Sequence, residues 1–376
     1  MRVTIVVRDI KVASGLYRAV ATYLHSGLAP KVLADVVSFK EPESVCREDL
    51  DALQIPVHLL DDDSFSSSVR QLRQILKRRS SDLVVGTTWK TYMVAKLASL
   101  GTRTKVVAWL QSIPCVIEGI PRTILFRLFS RRDPIIFVSK AVQKRHGFRW
   151  HRGKEHIVYY GLESLPALYC RSTLAEMGLP ADAFVLGYIA EFKDWKNHTT
   201  LLEAFKRLLN ERPNLHLVLI GVGETLNSVK DMARRENLVR NVHFLERRVD
   251  ARQLLGTFDI YVHPSDGEAF GLALGEAMAA GLPVIAANAG AFPEIIENEK
   301  NGLLFPPRDA DELCRSLNRL IDDKNLRERL GSSARIRISV NFSVAAFSKA
   351  LTAAFEEILL ESPRSQQVPA LTMDKG

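Results

Sequence analysis

The 376-residue sequence has few cysteines and no long apolar run, and each of these absences excludes a class of protein. Its four cysteines, Cys46, Cys115, Cys170 and Cys314, lie far apart without a CxxC pair, so we expect reduced thiols rather than a disulfide framework or a zinc site. No run approaches the roughly 18 apolar residues of a membrane-spanning helix, and the apolar run at 3–7 is too short for a signal peptide. We therefore expect a cytoplasmic protein.

Several well-known catalytic motifs are also missing. The patterns GxxxxGK, HExxH and GxSxG do not occur and the nine histidines are dispersed, which argues against P-loop NTPases, zinc proteases and serine hydrolases. The 51 basic and 43 acidic residues give a net charge of +8, which favours anionic partners. Because aromatic residues are not interleaved with the basic stretches, we expect no nucleic-acid binding.

Short β-branched runs alternate with longer amphipathic stretches, a pattern typical of parallel βαβ units. In the first half, strands are predicted at 3–7, 32–37, 56–60, 82–86, 105–110, 134–138 and 156–160. In the second half, strands are predicted at 184–190, 215–220, 242–245, 258–262 and 283–286. The stretch 161–180 contains prolines and a glycine and separates the two series, so it is predicted to connect two domains.

This pattern predicts an α/β protein of two tandem Rossmann-like, doubly wound domains, at 1–165 and 180–342. A helix is predicted at 343–361, docking on the protein and crossing back to the first domain, because one face carries Phe347, Leu351, Phe355, Ile358 and Leu359. Residues 362–376 are polar and predicted to be disordered. The cleft between the carboxyl ends of the two sheets is the expected ligand site.

The segment 263–283 places two glutamates around the point where a strand gives way to a helix. Glu268 lies in the loop, Gly271 opens the helix and Glu276 lies within it. The N–H groups and dipole of a helix N-terminus favour a phosphate, and glycine allows close approach of the backbone. Because carboxylates repel phosphate, both glutamates should accept hydrogen bonds from sugar or ribose hydroxyls. On spacing alone, they are equally explained as solvated charges.

This segment resembles glycosyltransferase family 4, the retaining nucleotide-sugar enzymes of the GT-B fold. The E-x7-E motif of that family matches Glu268 and Glu276, and Ala291 stands where a second glycine is usual. Further matches cover 264–265, 270–271, 276–284, 290–294 and 301–306. The resemblance implies that Glu268 holds donor-sugar hydroxyls and Glu276 the nucleotide ribose. It assigns the diphosphate to the backbone of Phe270, Gly271 and Leu272.

A second block, 187–205, has the pattern of a strand, a polar loop and an amphipathic helix. Lys196, at the helix entrance, matches a family lysine and can neutralise the charge that develops on a leaving diphosphate. Glu191 stands where the family has a phosphate-binding arginine. Either Glu191 points away and Lys193 contributes to donor binding, or donor handling is altered; Lys193 is otherwise a solvated side chain.

Other positions match the family more weakly. Gly221 and Gly223 form a turn that the resemblance places near the nucleotide, and Gly15 lies in the loop over the donor phosphates, but each also fits a plain turn. Arg247 belongs to the loop that the resemblance places against the base. On the acceptor side, Gln111 stands where many members have a functional histidine, and it can hydrogen-bond a sugar.

Two features have ordinary explanations. The run 61–63 contains a DxD pattern, which holds a metal in other glycosyltransferases, but a turn and a helix cap at Ser64 explain it. We therefore expect no metal and no cofactor beyond the nucleotide diphosphate sugar. The basic, apolar stretches 69–79 and 122–132 fit contact with an anionic membrane, or ordinary packing on the sheet, which we favour.

The resemblance implies a retaining glycosyltransferase (EC 2.4, hexosyltransferase type) that uses a nucleotide diphosphate sugar. Its acceptor would be a saccharide or a lipid-linked molecule, in polysaccharide, lipopolysaccharide or glycolipid synthesis at the inner face of the membrane. Two alternatives stay open. One is a nucleotide-sugar epimerase of the same fold. The other is a non-catalytic partner that binds nucleotide sugar, if Glu191 and Gln111 together disable catalysis.

Overall fold

Two parallel sheets organise the protein. The computed structural model describes residues 1–11, 15–26, 32–61, 64–112, 126–147, 151–163, 165, 171–246, 248 and 250–360. The first sheet has seven strands in the order β3-β2-β1-β4-β5-β6-β7. Its strands are β1 (Arg2–Val7), β2 (Leu33–Ser38), β3 (Val57–Leu59), β4 (Leu83–Gly86), β5 (Lys105–Leu110), β6 (Ile135–Phe137) and β7 (Glu155–Ile157).

The second sheet has six strands in the order β10-β9-β8-β11-β12-β13. They are β8 (Phe184–Ile189), β9 (Leu215–Ile220), β10 (Val242–Leu245), β11 (Ile260–His263), β12 (Val284–Ala287) and β13 (Leu303–Phe305). The α/β prediction is confirmed, and the ends of the predicted strands lie within two residues of those observed except in β7, which ends at Ile157, three residues earlier than expected. Among the described strands, only β13 was missed: its apolar run is just three residues long, between Gly302 and Pro306, whereas the equally short β3, β6 and β7 overlap predicted runs of five residues.

Helices flank both sheets. Those in the first half are α1 (Gly15–His25), α2 (Ser44–Ala52), α3 (Phe65–Arg79), α4 (Trp89–Ser99) and α5 (Lys140–His146). Those in the second half are α6 (His198–Leu209), α7 (Leu226–Arg235), α8 (Leu272–Ala279), α9 (Phe292–Ile295), α10 (Ala310–Asp322), α11 (Lys324–Asn341) and α12 (Val344–Leu360). Among these, no described helix combines the length and the apolar character needed to cross a bilayer.

Local capping fixes where several helices begin. The hydroxyls of Ser64, Thr88 and Ser139 each accept a hydrogen bond from the backbone N–H three residues later, at 3.1, 3.3 and 3.2 Å. Ser64 thus begins α3, as the cap interpretation of the acidic run predicts. Asp62 and Asp63 lie outside the described residues.

The inner strands are buried on both faces, as expected for parallel sheets covered by helices, while the edge strands β3 and β7 are partly exposed. In β1, for example, all residues from Val3 to Val7 are buried. Since every strand of a parallel sheet runs the same way, the carboxyl ends of the strands meet at one edge. This edge carries the loop after β11 in the second sheet and Gln111, which follows β5, in the first.

The helix α12 packs on the first sheet and its helices. Its apolar face buries Phe347, Leu351 and Phe355, while the Tyr23 hydroxyl of α1 lies 2.9 Å from Thr352 Oγ1. The Lys105 ammonium donates to the carbonyl oxygens of the last turn. The helix therefore lies against the elements of the first domain, although the exact domain boundaries stay a prediction.

Two chain segments pass side by side between the sheets. The Leu162 N–H donates to the Phe342 carbonyl at 2.8 Å, and Leu162 pairs with Ser343 as an isolated parallel bridge. A Cβ on the neighbouring Gly161 would lie 2.9 Å from Val344 Cα, so only glycine allows this approach. The outgoing and returning segments thus form one double connection.

Candidate active site

The backbone of Glu268 is held by the loop before α9. Gly290 has φ +56°, and a Cβ at this position would overlap the backbone nitrogen and oxygen of Glu268. The Ala291 N–H donates to the Glu268 carbonyl at 3.0 Å. The loop that follows β12 therefore sets the position of Glu268, and it needs glycine to do so.

The Glu268 carboxylate is largely buried, and three donors lie around one of its oxygens. Its Oε1 forms an ion pair with the Lys196 ammonium, and it lies 3.2 Å from His263 Nε2 and 3.4 Å from Ser265 Oγ. Burial by itself would raise the pKa of Glu268, but the His263 hydrogen bond and the Lys196 charge outweigh it and lower that pKa to about 2. Glu268 is therefore ionised at neutral pH.

The imidazole of His263 is neutral in this site. Burial lowers its pKa, against the opposing effect of the Glu268 carboxylate. A neutral ring facing a carboxylate must present its N–H to it, so Nε2 carries the proton and donates to Glu268. His263 thus orients Glu268 without adding a charge.

Lys196 is positioned by hydrogen bonds between two loops. It ends a short 3₁₀ turn, Asp194–Lys196, and Asn197 then adopts a left-handed conformation with φ +51° before α6 begins. The Asn197 amide donates to the Pro264 carbonyl at 3.1 Å and to the Asp266 carboxylate. These contacts fix the Lys196 loop against the loop that carries Glu268.

The N-terminus of α8 is open. Gly271 precedes it with φ +94°, and a Cβ there would lie 2.6 Å from Phe292 Cε1. No side chain of the described residues caps the helix, which begins at Leu272. Phe270 is buried, with its ring 5.4 Å from that of Tyr160. The predicted diphosphate segment therefore presents backbone, with its first side chain anchored in the core.

Glu276 lies one turn further along α8 and is nearly buried. Two arginines that sequence reasoning missed approach its Oε1: Arg18 of α1 forms an ion pair with it, and Arg252 Nε lies 3.1 Å away. Burial, and secondly the charge of Arg252, lower the pKa of Arg18 to about 10, so it stays protonated at neutral pH. The position of Arg18, in the turn that Gly15 begins, was the available signal in the sequence.

These arginines border a cavity of about 350 Å³ between α1 and the start of α8. Leu272, the first residue of α8, lines it together with Arg18 and Arg252. Tyr17 and Asp49 form part of the opposite wall, where the Tyr17 hydroxyl donates to the Asp49 carboxylate at 2.7 Å. The cavity therefore adjoins the open helix N-terminus and the Glu276 carboxylate.

The two glycines of the turn after β9 are required by close packing. A Cβ on Gly221 would overlap the Ala190 carbonyl, and one on Gly223 would overlap the Phe192 carbonyl. Both glycines have positive φ, +146° and +159°. Their role in the described structure is to let this turn lie against the loop after β8.

Glu191 points to solvent in that loop. Its side chain is 63% exposed, and the Lys193 ammonium lies 2.7 Å from its carboxylate. Exposure to solvent fits both interpretations of Glu191, so both stay open. Lys193, however, is paired with Glu191 and is itself 43% exposed.

Gln111 lies at the carboxyl edge of the first sheet. Its Oε1 accepts a hydrogen bond from the Tyr160 hydroxyl at 2.7 Å, while its buried Nε2 has no hydrogen-bond partner in the described part of the chain. The amide therefore has free donors. Arg247, predicted at the base, lies outside the described residues.

Comparisons with known proteins find relatives over about half of the chain. Residues 173–337 match the family of Glycosyl transferases group 1. The D-inositol 3-phosphate glycosyltransferase of Corynebacterium jeikeium is 30% identical over 205 residues, 52% of this chain and 48% of that protein. A lipopolysaccharide core biosynthesis glycosyltransferase of Rhizobium meliloti is 29% identical over 189 residues, covering 50% and 53%. The chain thus matches about half the length of these relatives.

The likeness to solved structures extends over nearly the whole chain. The crystal structure of Anabaena Alr3699/HepE in complex with UDP and glucose superposes with a TM-score of 0.81 at 23% identity, covering 95% of this chain and 99% of that one. This likeness shows the fold, which is GT-B, as the sequence resemblance implied.

Proposed function

We propose that this chain, whose residues 173–337 match the family of Glycosyl transferases group 1, transfers a sugar from a nucleotide diphosphate sugar to an acceptor with retention at the anomeric carbon. The observation that carries the proposal is the buried pair of Lys196 and Glu268 beside the open N-terminus of α8. A cation, a carboxylate and free backbone N–H groups are the groups that a sugar diphosphate needs.

In this proposal, the donor separates Lys196 from Glu268. The diphosphate lies at the N-terminus of α8, where the helix dipole and the Lys196 ammonium offset its charge. The hydroxyls of the sugar donate to the Glu268 carboxylate, which its neighbours keep ionised. Both loops are already fixed by the Asn197 hydrogen bonds, so the site is preorganised for this exchange.

The reaction breaks the bond between the anomeric carbon and the diphosphate oxygen, and the bonding electrons leave with the diphosphate. The acceptor hydroxyl oxygen attacks the same face of the sugar and gives its proton to the departing phosphate oxygen. Lys196 stabilises the charge that grows on the diphosphate, an interaction that is stronger in the transition state than in the bound donor. Retention follows from attack on the face that the leaving group occupied.

Gln111 is proposed to serve the acceptor side. Its unpartnered Nε2 lies at the carboxyl edge of the first sheet, where the acceptor would meet the donor sugar. Burial without a partner is costly for an amide, so a sugar oxygen there gains a strong hydrogen bond. The acceptor is proposed to be a saccharide or a lipid-linked molecule. The names of the relatives, one of which concerns the lipopolysaccharide core, favour surface polysaccharide or glycolipid synthesis.

A peripheral contact with anionic membrane is proposed at 127–132, and the protein is proposed to be cytoplasmic. Leu128 and Phe129 are 65% and 41% exposed, and Arg131 and Arg132 lie beside them on the surface. The other candidate stretch, α3, buries its apolar residues Leu72 and Leu76 in the core, so it packs as an ordinary helix. Residues 122–125 lie outside the described chain. Flotation with anionic liposomes tests the proposal: L128S/F129S should reduce binding, and equal flotation would contradict it.

A screen by mass spectrometry tests the reaction. Purified protein is incubated with UDP-, GDP-, ADP- and dTDP-sugars in EDTA, with Glu268→Ala, Lys196→Ala and the surface variant Lys206→Ala as control. We expect release of one nucleoside diphosphate, which both site variants abolish and the control retains, since Lys206 pairs with Glu236 away from the site. UDP-sugars come first, because the Anabaena structure holds UDP and glucose.

Two outcomes would replace the proposal. Conversion of the donor sugar into its epimer, with no acceptor consumed, would indicate the epimerase. Donor binding without turnover, unchanged by acceptors from cell extract, would indicate a non-catalytic partner.

A further inference from the structure

Two guanidinium groups converge on one carboxylate oxygen in the cleft. Arg18 reaches Glu276 Oε1 from α1, on the first domain, and Arg252 reaches it from the segment before β11, on the second. Glu163, about half exposed, lies 3.8 Å from Arg252 and balances part of the charge. Two cations therefore share one buried carboxylate.

The contacts leave hydrogen-bonding capacity unused. Among the described residues, neither Glu276 Oε1 nor Arg252 Nε makes a hydrogen bond, although both atoms are buried. The guanidinium and carboxylate groups therefore attract each other through their charges, without the alignment of a hydrogen bond. An arrangement of this kind is easily exchanged, because a ligand that offers aligned donors and acceptors gains the hydrogen bonds that the ion pairs lack.

In the proposed function, the ribose hydroxyls bind to Glu276, and an arginine that leaves this carboxylate then needs another anionic partner. Glu276 lies four residues beyond Leu272, which at about 1.5 Å per residue is roughly 6 Å from the helix N-terminus. An arginine side chain spans such a distance, so the guanidinium can turn from Glu276 to an anion at the start of α8. Leu272, Arg18 and Arg252 also line the same cavity.

The donor diphosphate needs a further cation, because the phosphate-binding arginine that the resemblance implies is absent. Glu191 occupies the position of the phosphate-binding arginine in the resemblance, and it faces solvent in a pair with Lys193. Lys196 alone would have to offset a diphosphate, which carries more than one negative charge. Arg252 has a second carboxylate partner in Glu163, at 3.8 Å, whereas Arg18 forms its ion pair with Glu276 and feels Glu163 only as a more distant charge.

We propose that Arg18 is the arginine that binds the donor diphosphate: it leaves Glu276 when the ribose takes that carboxylate, and it then pairs with the diphosphate from the first domain. This inference rests on the proposed function. It replaces a cation of the second domain by one of the first, so the donor is held by both domains and its binding favours the closed cleft.

Calorimetry with paired ligands tests the exchange. Uridine and UDP, or the nucleoside and diphosphate of the base found in the screen, are titrated into wild type, Arg18→Ala, Arg18→Lys and Arg207→Ala. Arg207 pairs with Asp311 elsewhere on the surface and is the control. For Arg18→Ala we expect UDP affinity to fall at least tenfold, while uridine affinity is kept or raised, because its hydroxyls no longer compete with Arg18 for Glu276. Arg18→Lys should recover part of the lost UDP affinity, and the control Arg207→Ala should show none of these changes.

The outcomes separate the inference from the function. If Arg18→Ala changes the affinities for UDP and uridine by the same factor, Arg18 acts only through Glu276 and the inference is wrong. If wild type binds no nucleoside diphosphate of the panel, the proposed function itself fails. If Arg18→Ala does not fold, Glu276→Gln takes its place in the test. We expect Glu276→Gln to weaken the binding of uridine while the ratio of UDP affinity to uridine affinity is kept. A fall in that ratio would overturn the proposal.

Discussion

Glu268 is a largely buried carboxylate that the surrounding residues keep ionised. Lys196 and His263 together lower its pKa against the effect of burial. Removing Lys196 or Glu268 alone would leave the other charge buried without compensation, which is more costly than losing the pair as a whole. In the absence of ligand, the two proposed catalytic groups therefore stabilise each other.

The pH dependence of stability tests this pairing. The pKa of Glu268 is lowered from 4.5 to about 2 on folding, so its contribution, on the order of 3 kcal/mol, is present above pH 4.5 and is lost as the pH falls toward 2. We expect Glu268→Gln to melt at lower temperature than wild type at pH 7 and to lose less stability between pH 5 and 3. If the melting temperatures of both proteins fall by the same amount between pH 5 and 3, the prediction is wrong.

A second prediction concerns the backbone of Glu268. Gly290→Ala should lower turnover at least tenfold and stability by about 1–3 kcal/mol, because the new Cβ overlaps the Glu268 backbone. Gly101→Ala is the matched control: it has a similar left-handed φ of +73°, but nothing lies within 4 Å of its Cβ. Both variants share the backbone strain, so equal loss of turnover in an activity assay would show that the clash is irrelevant.

The sequence predicts those candidate site residues whose signal is local. Glu268, Glu276 and Lys196 stand at fixed places in strand–loop–helix segments, and their pattern could be matched directly. Arg18, Arg252 and the packing of Gly290 on Glu268 depend on contacts between segments far apart in the chain. No periodicity or spacing encodes such contacts, so they required the fold.

At the scale of elements, the length of the apolar run in the sequence decided what could be predicted. The long apolar runs of β5 and β9 have the predicted ends, whereas β13, whose apolar run is only three residues between Gly302 and Pro306, was missed. β13 owes its place in the sheet to pairing with β12, where Ala286 lies beside Leu304. Tertiary pairing of this kind overrides a weak local pattern.

The docking of α12 gives a prediction for a whole helix. Phe355 is fully buried and its ring lies 6.3 Å from that of Tyr23, so Phe355→Ala should destabilise the protein by about 3–5 kcal/mol. Leu360→Ala, at a position that is 84% exposed on the same helix, should change stability by less than about 0.5 kcal/mol. Denaturant titration compares them, and similar midpoints would mean that α12 does not pack as described.

At the scale of the whole molecule, a second contact joins the two domains. Glu294, on α9, accepts hydrogen bonds from the Lys140 and Ala141 N–H groups at 2.9 and 2.7 Å, and from the Tyr159 hydroxyl at 2.7 Å. It thus caps the N-terminus of α5 from the opposite domain, where the helix dipole favours a negative charge. Arg18 and Glu294 thus each connect the two domains in the ligand-free protein.

Removing this cap should loosen the molecule. We expect Glu294→Ala to increase the radius of gyration of the ligand-free protein in small-angle X-ray scattering, since α5 loses its carboxylate. Glu299→Ala, a surface carboxylate paired with Arg319, is the control and should leave the curve unchanged. Identical curves for both variants would mean that the cap does not govern the opening of the cleft.

The return of α12 to the first sheet has a consequence for synthesis of the chain. Tyr23 and Lys105 meet their partners on α12 only when the ribosome has passed residue 360. Throughout translation of the second domain, the nascent first domain keeps an uncovered apolar surface, a natural target for chaperones. The second sheet has all its strands by residue 305, well before α12 is made. The domain that is translated first is therefore the one that is completed last.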